Sequence, residues 1–272
     1  MKIFISADIE GVAGVVAPPQ GLAGNPEYER ARRLMTAEVS AAVAGAFDGG
    51  ASGVLVNDSH GPMTNLIAEE LDPRAELILG RPKAMGMFAG LDGGFDGAFC
   101  TGYHAGAGQH GVLSHTVNGF AFSAIRVNGV DCAEATLYGA YAGSLGVPVI
   151  LLTGDDRMAA QCAPHFPRAR IAVVKHALGQ RAARAVSPEQ ARARIRAEAE
   201  RAVRDIGGAA PFTLPGPYRL EIDMSTVALA DLAATIPVAE RVGPRGVAFA
   251  ADTMPAVIGW VNTLSAMSAS LR

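Results

Sequence analysis

Residues 3–10 read Ile-Phe-Ile-Ser-Ala-Asp-Ile-Glu, an uncharged apolar run that stops on two acids. Five such residues without helical spacing predict a buried strand over residues 3–7. In chain that stays extended, Asp8 and Glu10 project to the same side, because side chains alternate between faces. Two carboxylates held that close need a cation or a shared proton. The stretch therefore seeds a sheet and delivers an acidic pair at the strand's carboxyl end.

Outward from it, short apolar runs recur at residues 54–56, 75–79, 98–101, 147–152 and 171–174. Helical patterns lie between them. Asn25-Pro26-Glu27 supplies an N-cap, a proline in the first turn and an early acid. Ala31, Leu34, Met35, Val39, Ala42, Val43, Ala46 and Phe47 then keep helical spacing until Gly49-Gly50. Further helices are expected over residues 134–144 and after Asp155-Asp156, and a hairpin about Asn128-Gly129. Strands alternating with helices predict an α/β fold with a mostly parallel sheet covered on both faces by helices. The composition shifts after Lys175. Ser187-Pro188-Glu189-Gln190 opens a helix whose Arg194/Glu198, Arg196/Glu200 and Glu200/Arg204 stand four apart. Nine Arg and one Lys against four acids between residues 165 and 205 predict a solvated, self-paired face. Strands near residues 219–222 and 246–250 and a last helix follow the breaker Pro215-Gly216-Pro217. The expected organisation is a catalytic α/β domain over residues 1–175 and a smaller C-terminal α/β domain over residues 176–272.

The 272 residues are 50% apolar and 18% charged, which excludes disorder driven by low hydrophobicity. A net charge of −3 leaves no electrostatic footprint for nucleic acid or an anionic membrane. Cys100, Cys132 and Cys162 have no C-x-x-C spacing, so neither a disulfide framework nor a thiolate zinc site is expected. The amino terminus runs straight into the acidic pair instead of a signal sequence. Residues 135–154 are apolar enough to test as a membrane span, but Gly146-Val147-Pro148 breaks them into helix, turn and strand. A cytoplasmic protein is expected, with no membrane and no nucleic-acid partner.

His60 closes Val-Leu-Val-Asn-Asp-Ser-His after the second strand, and His104 closes Phe-Cys-Thr-Gly-Tyr-His after the fourth. Open parallel sheets bind ligands outside the carboxyl ends of their strands. Asp8, Glu10, His60 and His104 all belong to that edge, and Glu134 opens the helix before the next strand. Five N/O donors exceed the three or four that one zinc takes from protein, which points to two zinc ions per subunit. His115, in a Gly-rich stretch, could be a sixth ligand, a general acid/base or a packing residue. His110 lies in the same loop and is given a background role. Asp58 and Asp155-Asp156 read as turn or N-cap residues. Gly106-Ala107-Gly108-Gln109-His110-Gly111 matches a dinucleotide fingerprint in letters only, since a strand-like segment follows where that motif needs a helix.

These residues resemble the zinc-dependent D-aminopeptidase family associated with bacterial dipeptide transport. The resemblance is carried by ISADIEGVAGV, YERARRLMTAEV, VLVNDSHGPMTNL, GYHAGAGQHGVLSHT, the Glu134 region through GVPV, and TGDDR, in order from residue 3 to 157. It implies a dinuclear zinc site on Asp8, Glu10, His60, His104 and Glu134, with His115 as the catalytic residue. It also implies a two-domain α/β fold and a homo-oligomeric ring, typically a decamer. The implied activity is removal of the N-terminal residue from short peptides, D-configured ones, by zinc-activated water. The alternative is a related metal-dependent amidohydrolase acting on L- or β-amino acid peptides or amides. A metal-binding scaffold without turnover would have no use for His115. Residues 106–110 differ from the family's loop, which leaves side-chain preference open.

Overall fold

A computed structural model describes residues 1–272. The first sheet has seven strands in the order β3-β2-β1-β4-β7-β8-β9. These are β1 (Lys2–Ala7), β2 (Gly53–Asp58), β3 (Ala75–Ile78), β4 (Gly97–Tyr103), β7 (Val149–Asp155), β8 (Arg170–Gly179) and β9 (Ala182–Ala185). All neighbours are parallel except β8 and β9, which form an antiparallel edge hairpin. The second sheet, wholly antiparallel, runs β11-β12-β10-β5-β6. Its strands are β5 (Phe122–Val127), β6 (Val130–Asp131), β10 (Tyr218–Met224), β11 (Glu240–Arg241) and β12 (Gly246–Ala251). Helices are α1 (Pro26–Asp48), α2 (Glu134–Ser144), α3 (Asp156–Cys162), α4 (Pro188–Arg204), α5 (Val227–Ala233) and α6 (Met254–Met267).

Strand β1 lies inside the first sheet between β2 and β4 and is fully buried beyond Lys2. Ile3, Ile5 and Ala7 face α1 and α4, whereas Phe4 faces the opposite side, where α2 packs between the two sheets against α6. Helices thus cover both faces, as the strand–helix alternation predicts. Helix α1 runs from the Asn25 cap, which accepts the Tyr28 N–H, to Gly49.

The differences from expectation have local causes. Strand β7 starts at Val149 instead of 147, since Pro148 has no N–H to give to a ladder. Strand β8 runs on to Gly179 and turns back as β9, a hairpin that the polar composition after Lys175 disguises. Helix α5, capped by Thr226, was not expected. The second sheet takes strands from both sides of residue 175. The β5–β6 hairpin joins β10 in the second sheet, and α4 returns to pack on α1 against the first. Of the three expected intrahelical pairs only Glu200–Arg204 forms. Arg196 reaches across to Asp48 at the end of α1, at 2.7 Å. Such exposed, solvent-screened pairs contribute little to stability. Burial of Ile195 and Val203, at about 1.5–3 kcal/mol per side chain, is what docks α4.

The α1–α4 crossing is close enough to require Gly45. A Cβ there would lie 2.2 Å from the Arg196 carbonyl oxygen and 2.7 Å from the Ala199 Cβ. Gly259 in α6 has nothing within 4 Å of that position. Gly45→Ala is therefore expected to destabilise the fold by about 1–3 kcal/mol despite the better helix former. Gly259→Ala should stabilise it by about 0.5–1 kcal/mol. Chemical denaturation of the two variants checks the opposite signs.

Candidate metal centre

Asp8 and Glu10 follow β1, His60 follows β2, His104 follows β4, and Glu134 is the first residue of α2. Parallel pairing of β1 with both β2 and β4 brings those strand ends to one edge. There the five side chains form two clusters. His60 Nδ1 lies 3.2 Å from Asp8 Oδ1 and 3.0 Å from Glu10 Oε2. His104 Nε2 lies 3.3 Å from Asp8 Oδ2 and 3.3 Å from Glu134 Oε2. Asp8 gives one oxygen to each. Two donors on a tetrahedral zinc, each about 2.0–2.2 Å from the ion, stand about 3.3–3.6 Å apart, close to these separations.

The imidazoles are oriented by backbone carbonyls. His60 Nε2 donates to the Gly21 carbonyl at 2.8 Å, and His104 Nδ1 to that of Ala105 at 2.9 Å. In the neutral ring the other nitrogen is then a bare lone pair aimed at carboxylates. Such an arrangement holds only if a cation lies between, or if both rings take a second proton. Burial opposes charge on His60 and His104, but Glu10 and Asp8 at the first, and Glu134 and Asp8 at the second, hold both well above the ordinary imidazole value. Burial would likewise raise Asp8, yet the two histidines keep it well below the usual carboxylate range. Asp8 Oδ2, Glu10 Oε2, His104 Nε2 and Glu134 Oε2 are buried without a hydrogen-bond partner. Native interiors rarely leave such groups unsatisfied. Four of them converging on one volume fit divalent cations, and three carboxylates with two imidazoles suit zinc.

His115 comes to the same place. Its ring stacks on His104, centroids 4.3 Å apart and 8° from parallel, and its Nε2 is 3.8 Å from Glu134 Oε1. His115 Nδ1 donates to the Leu113 carbonyl at 2.9 Å. Leu113 (φ +52°) and Val117 (φ +62°) bracket it in left-handed conformations that branched residues rarely adopt. Val117 uses that turn to donate its N–H to Glu134 Oε1 at 2.7 Å. His110 is exposed and distinct from the cluster. Asp58 accepts the N–H groups of Asn65 and Leu66, and Asp155 caps α3, so both serve the backbone.

Two buried charges behind the Glu10 loop were not anticipated. Lys175 Nζ, in the middle of β8, donates to the carbonyls of Glu10, Val12 and Val15 at 2.5–3.0 Å. Glu38, within the buried stripe of α1, accepts the Ala13 N–H at 2.9 Å. A lone Lys closing Ile-Ala-Val-Val and a lone Glu beside Val39 were the available signals. Beneath the centre, Ser6 Oγ ties together Ser59 Oγ, the Met87 carbonyl and the Tyr103 hydroxyl, linking β1, β2 and β4.

Water activation at buried, carboxylate-rich divalent sites is metallohydrolase chemistry, and the fold and site define that class. The chain belongs to the D-aminopeptidase family, M55 of the peptidases, whose model matches residues 1–263. It is 35% identical over 255 residues to a D-aminopeptidase of Bacillus subtilis (strain 168), covering 93% of each chain. Its structure is similar to that of the Zn-dependent D-aminopeptidase DppA from Bacillus subtilis, described as a self-compartmentalizing protease. The TM-score is 0.96, with 32% identity, across 99% of this chain and 98% of that one. The resemblance seen in the sequence, the α/β fold class and the assignment as a metal-dependent aminopeptidase all hold. No helix is long and apolar enough to cross a membrane.

Burial pushes the Glu38 carboxyl up from 4.5 to about 7, against the Ala13 N–H that favours its charge. A folded carboxyl that keeps its proton to higher pH contributes stability that is complete below the unfolded pKa and lost as pH rises through the folded one. Across pH 4.5–7, Glu38→Gln, which keeps the acceptor for Ala13, should gain on the wild type by up to about 3 kcal/mol. Paired denaturation curves at several pH values measure that difference, and parallel pH profiles would contradict it.

Proposed function

We propose that the chain removes the N-terminal residue from short peptides of D-amino acids and holds two zinc ions per subunit. One zinc is assigned to Asp8, Glu10 and His60, the other to Asp8, His104 and Glu134. The observation that carries this reading is the shared aspartate, whose two oxygens face two imidazoles in separate clusters. When bound, zinc supplies a Lewis acid for the scissile carbonyl and lowers the pKa of the attacking water. The peptide and D-amino acid specificity draw on the relatives, which are D-aminopeptidases.

His115 is the proton carrier. Its Nδ1–H is engaged with Leu113, so Nε2 is the basic atom, on the partly exposed side of the centre. From there it takes a proton from water and returns it to the departing amine, a task an imidazole performs at neutral pH. A second reading has support of its own. The ligand atoms of His104, His115 and Glu134 lie within 4.8 Å of one another, which would make His115 a ligand.

A homo-oligomeric ring of ten subunits and a cytoplasmic location complete the proposal. The ring is supported by the relative described as self-compartmentalizing and by apolar side chains left in solvent, such as Leu22 and Leu178. The reducing compartment is supported by three buried, unpaired cysteines.

Elemental analysis after zinc saturation and desalting should find about two ions per chain in both the wild type and His115→Ala. In that variant kcat should fall on the order of 10²–10⁴. Metal lost in step with activity would make His115 a ligand instead. Sedimentation should show a large homo-oligomer, and a stable 28.0 kDa monomer at micromolar concentration would contradict the ring.

A further inference from the structure

Two clefts meet over the metal centre and share Leu22, His60, His115, Gly119 and Arg272. The smaller, about 570 Å³, lies on the side of Glu10 and the loop around residues 107–115. The larger, about 770 Å³, runs from Asp8 and Glu134 beneath the end of α6 to residues 81–87. That is the size of a small-molecule site.

The charges in the larger cleft are separated. Its only acids are Asp8 and Glu134, both assigned to the metal centre, and its wall carries Arg81, Lys83 and Arg272. Lys83 Nζ donates to Asn57 Oδ1 and to the Asp58 carbonyl, each at 2.7 Å. An ammonium has three N–H groups, so one donor remains uncommitted. Burial lowers its pKa to about 8, which leaves it cationic at neutral pH. Its anchors are the last two residues of β2, two or three positions before His60, so its place relative to the metal centre is set by the strand. Arg81 is exposed and makes neither a hydrogen bond nor an ion pair. A preorganised cation whose neighbouring carboxylate, Asp58, is committed to the Asn65 and Leu66 amides and forms no ion pair with it, on the wall of a cleft whose floor is the reacting centre, is arranged for an anionic group of the substrate.

We infer that Lys83, assisted by Arg81, is the subsite for the C-terminal carboxylate of a short peptide whose scissile bond lies over Asp8 and Glu134. The inference rests on the aminopeptidase reading above. It places the leaving residue in the larger cleft and the N-terminal residue in the smaller one. It also makes the enzyme a peptidase of free short peptides, because a carboxylate one or two residues beyond the scissile bond is absent from longer or amidated chains.

The test compares D-alanylglycine with D-alanylglycinamide on the zinc-loaded oligomer. Wild type should favour the free acid by roughly 10- to 100-fold in kcat/KM, mainly through KM, the range of one charge-assisted hydrogen bond. Lys83→Met should bring the acid-to-amide ratio near one, Lys83→Arg should restore part of it, and Arg81→Met should lower it by a smaller factor. An equal loss on both substrates, leaving the ratio intact, would make Lys83 a purely structural support for β2 and overturn the subsite. So would a wild type indifferent to the carboxylate. If neither substrate is hydrolysed, the aminopeptidase reading fails separately. Calorimetric binding of the same acid and amide to His115→Ala then decides the subsite: a preference for the acid that Lys83→Met removes upholds it, and equal binding ends it.

Discussion

Asp8 turns one carboxylate oxygen toward each of two imidazoles, and much of the first sheet is arranged around that fact. The aspartate lies just past the end of β1, an interior strand, with His60 and His104 arriving from the strands on either side. Both rings have one nitrogen occupied by a backbone carbonyl, so their lone pairs face carboxylates in a buried space. Hydrogen bonding between neutral groups cannot satisfy that arrangement. Positive charge between them can, either as protons on the rings or as divalent ions. A parallel sheet suits the purpose because its strand ends lie side by side on one edge, where loops can aim donors at a common point.

A set of repelling groups stays in place only if the surrounding structure holds it. Lys175 grips the back of the loop bearing Glu10 through three carbonyls, and Glu38 holds the Ala13 amide of the same loop. Ser6, Ser59 and Tyr103 join the three strands immediately below. Partners in this outer layer set the orientation of metal ligands and tune their basicity. The strained Val117 turn serves a similar end, since the N–H it presents to Glu134 leaves the other carboxylate oxygen for the centre.

The second sheet makes the site a cleft. Hairpin β5–β6 leaves the first layer to join β10, and the loop before it carries His115 and Asn118. Asn118 is tied to Ser265 in α6, so the loop bearing His115 is pinned to the helix that roofs the larger cleft. The cleft therefore lies between two layers, with metal-type donors on one and a wall on the other. Such junctions are where binding sites commonly form.

Much of this was legible before any coordinates. Alternating apolar runs and capped helical patterns identified the parallel sheet, since burial on both faces demands them. An acidic pair and two histidines, each just past a strand, marked positions that the structure does bring together, because topology alone sends them to one edge. The motif segments identified the family. What sequence could not provide was anything set by contacts between distant residues. The partition of five donors into two clusters about Asp8, the grip of Lys175 on a loop 160 or more positions away, and the transfer of residues 122–131 into the second sheet depend on packing across the chain. Local periodicity reports how a segment is buried. It does not report against what, and the chemistry of this site follows from that second quantity.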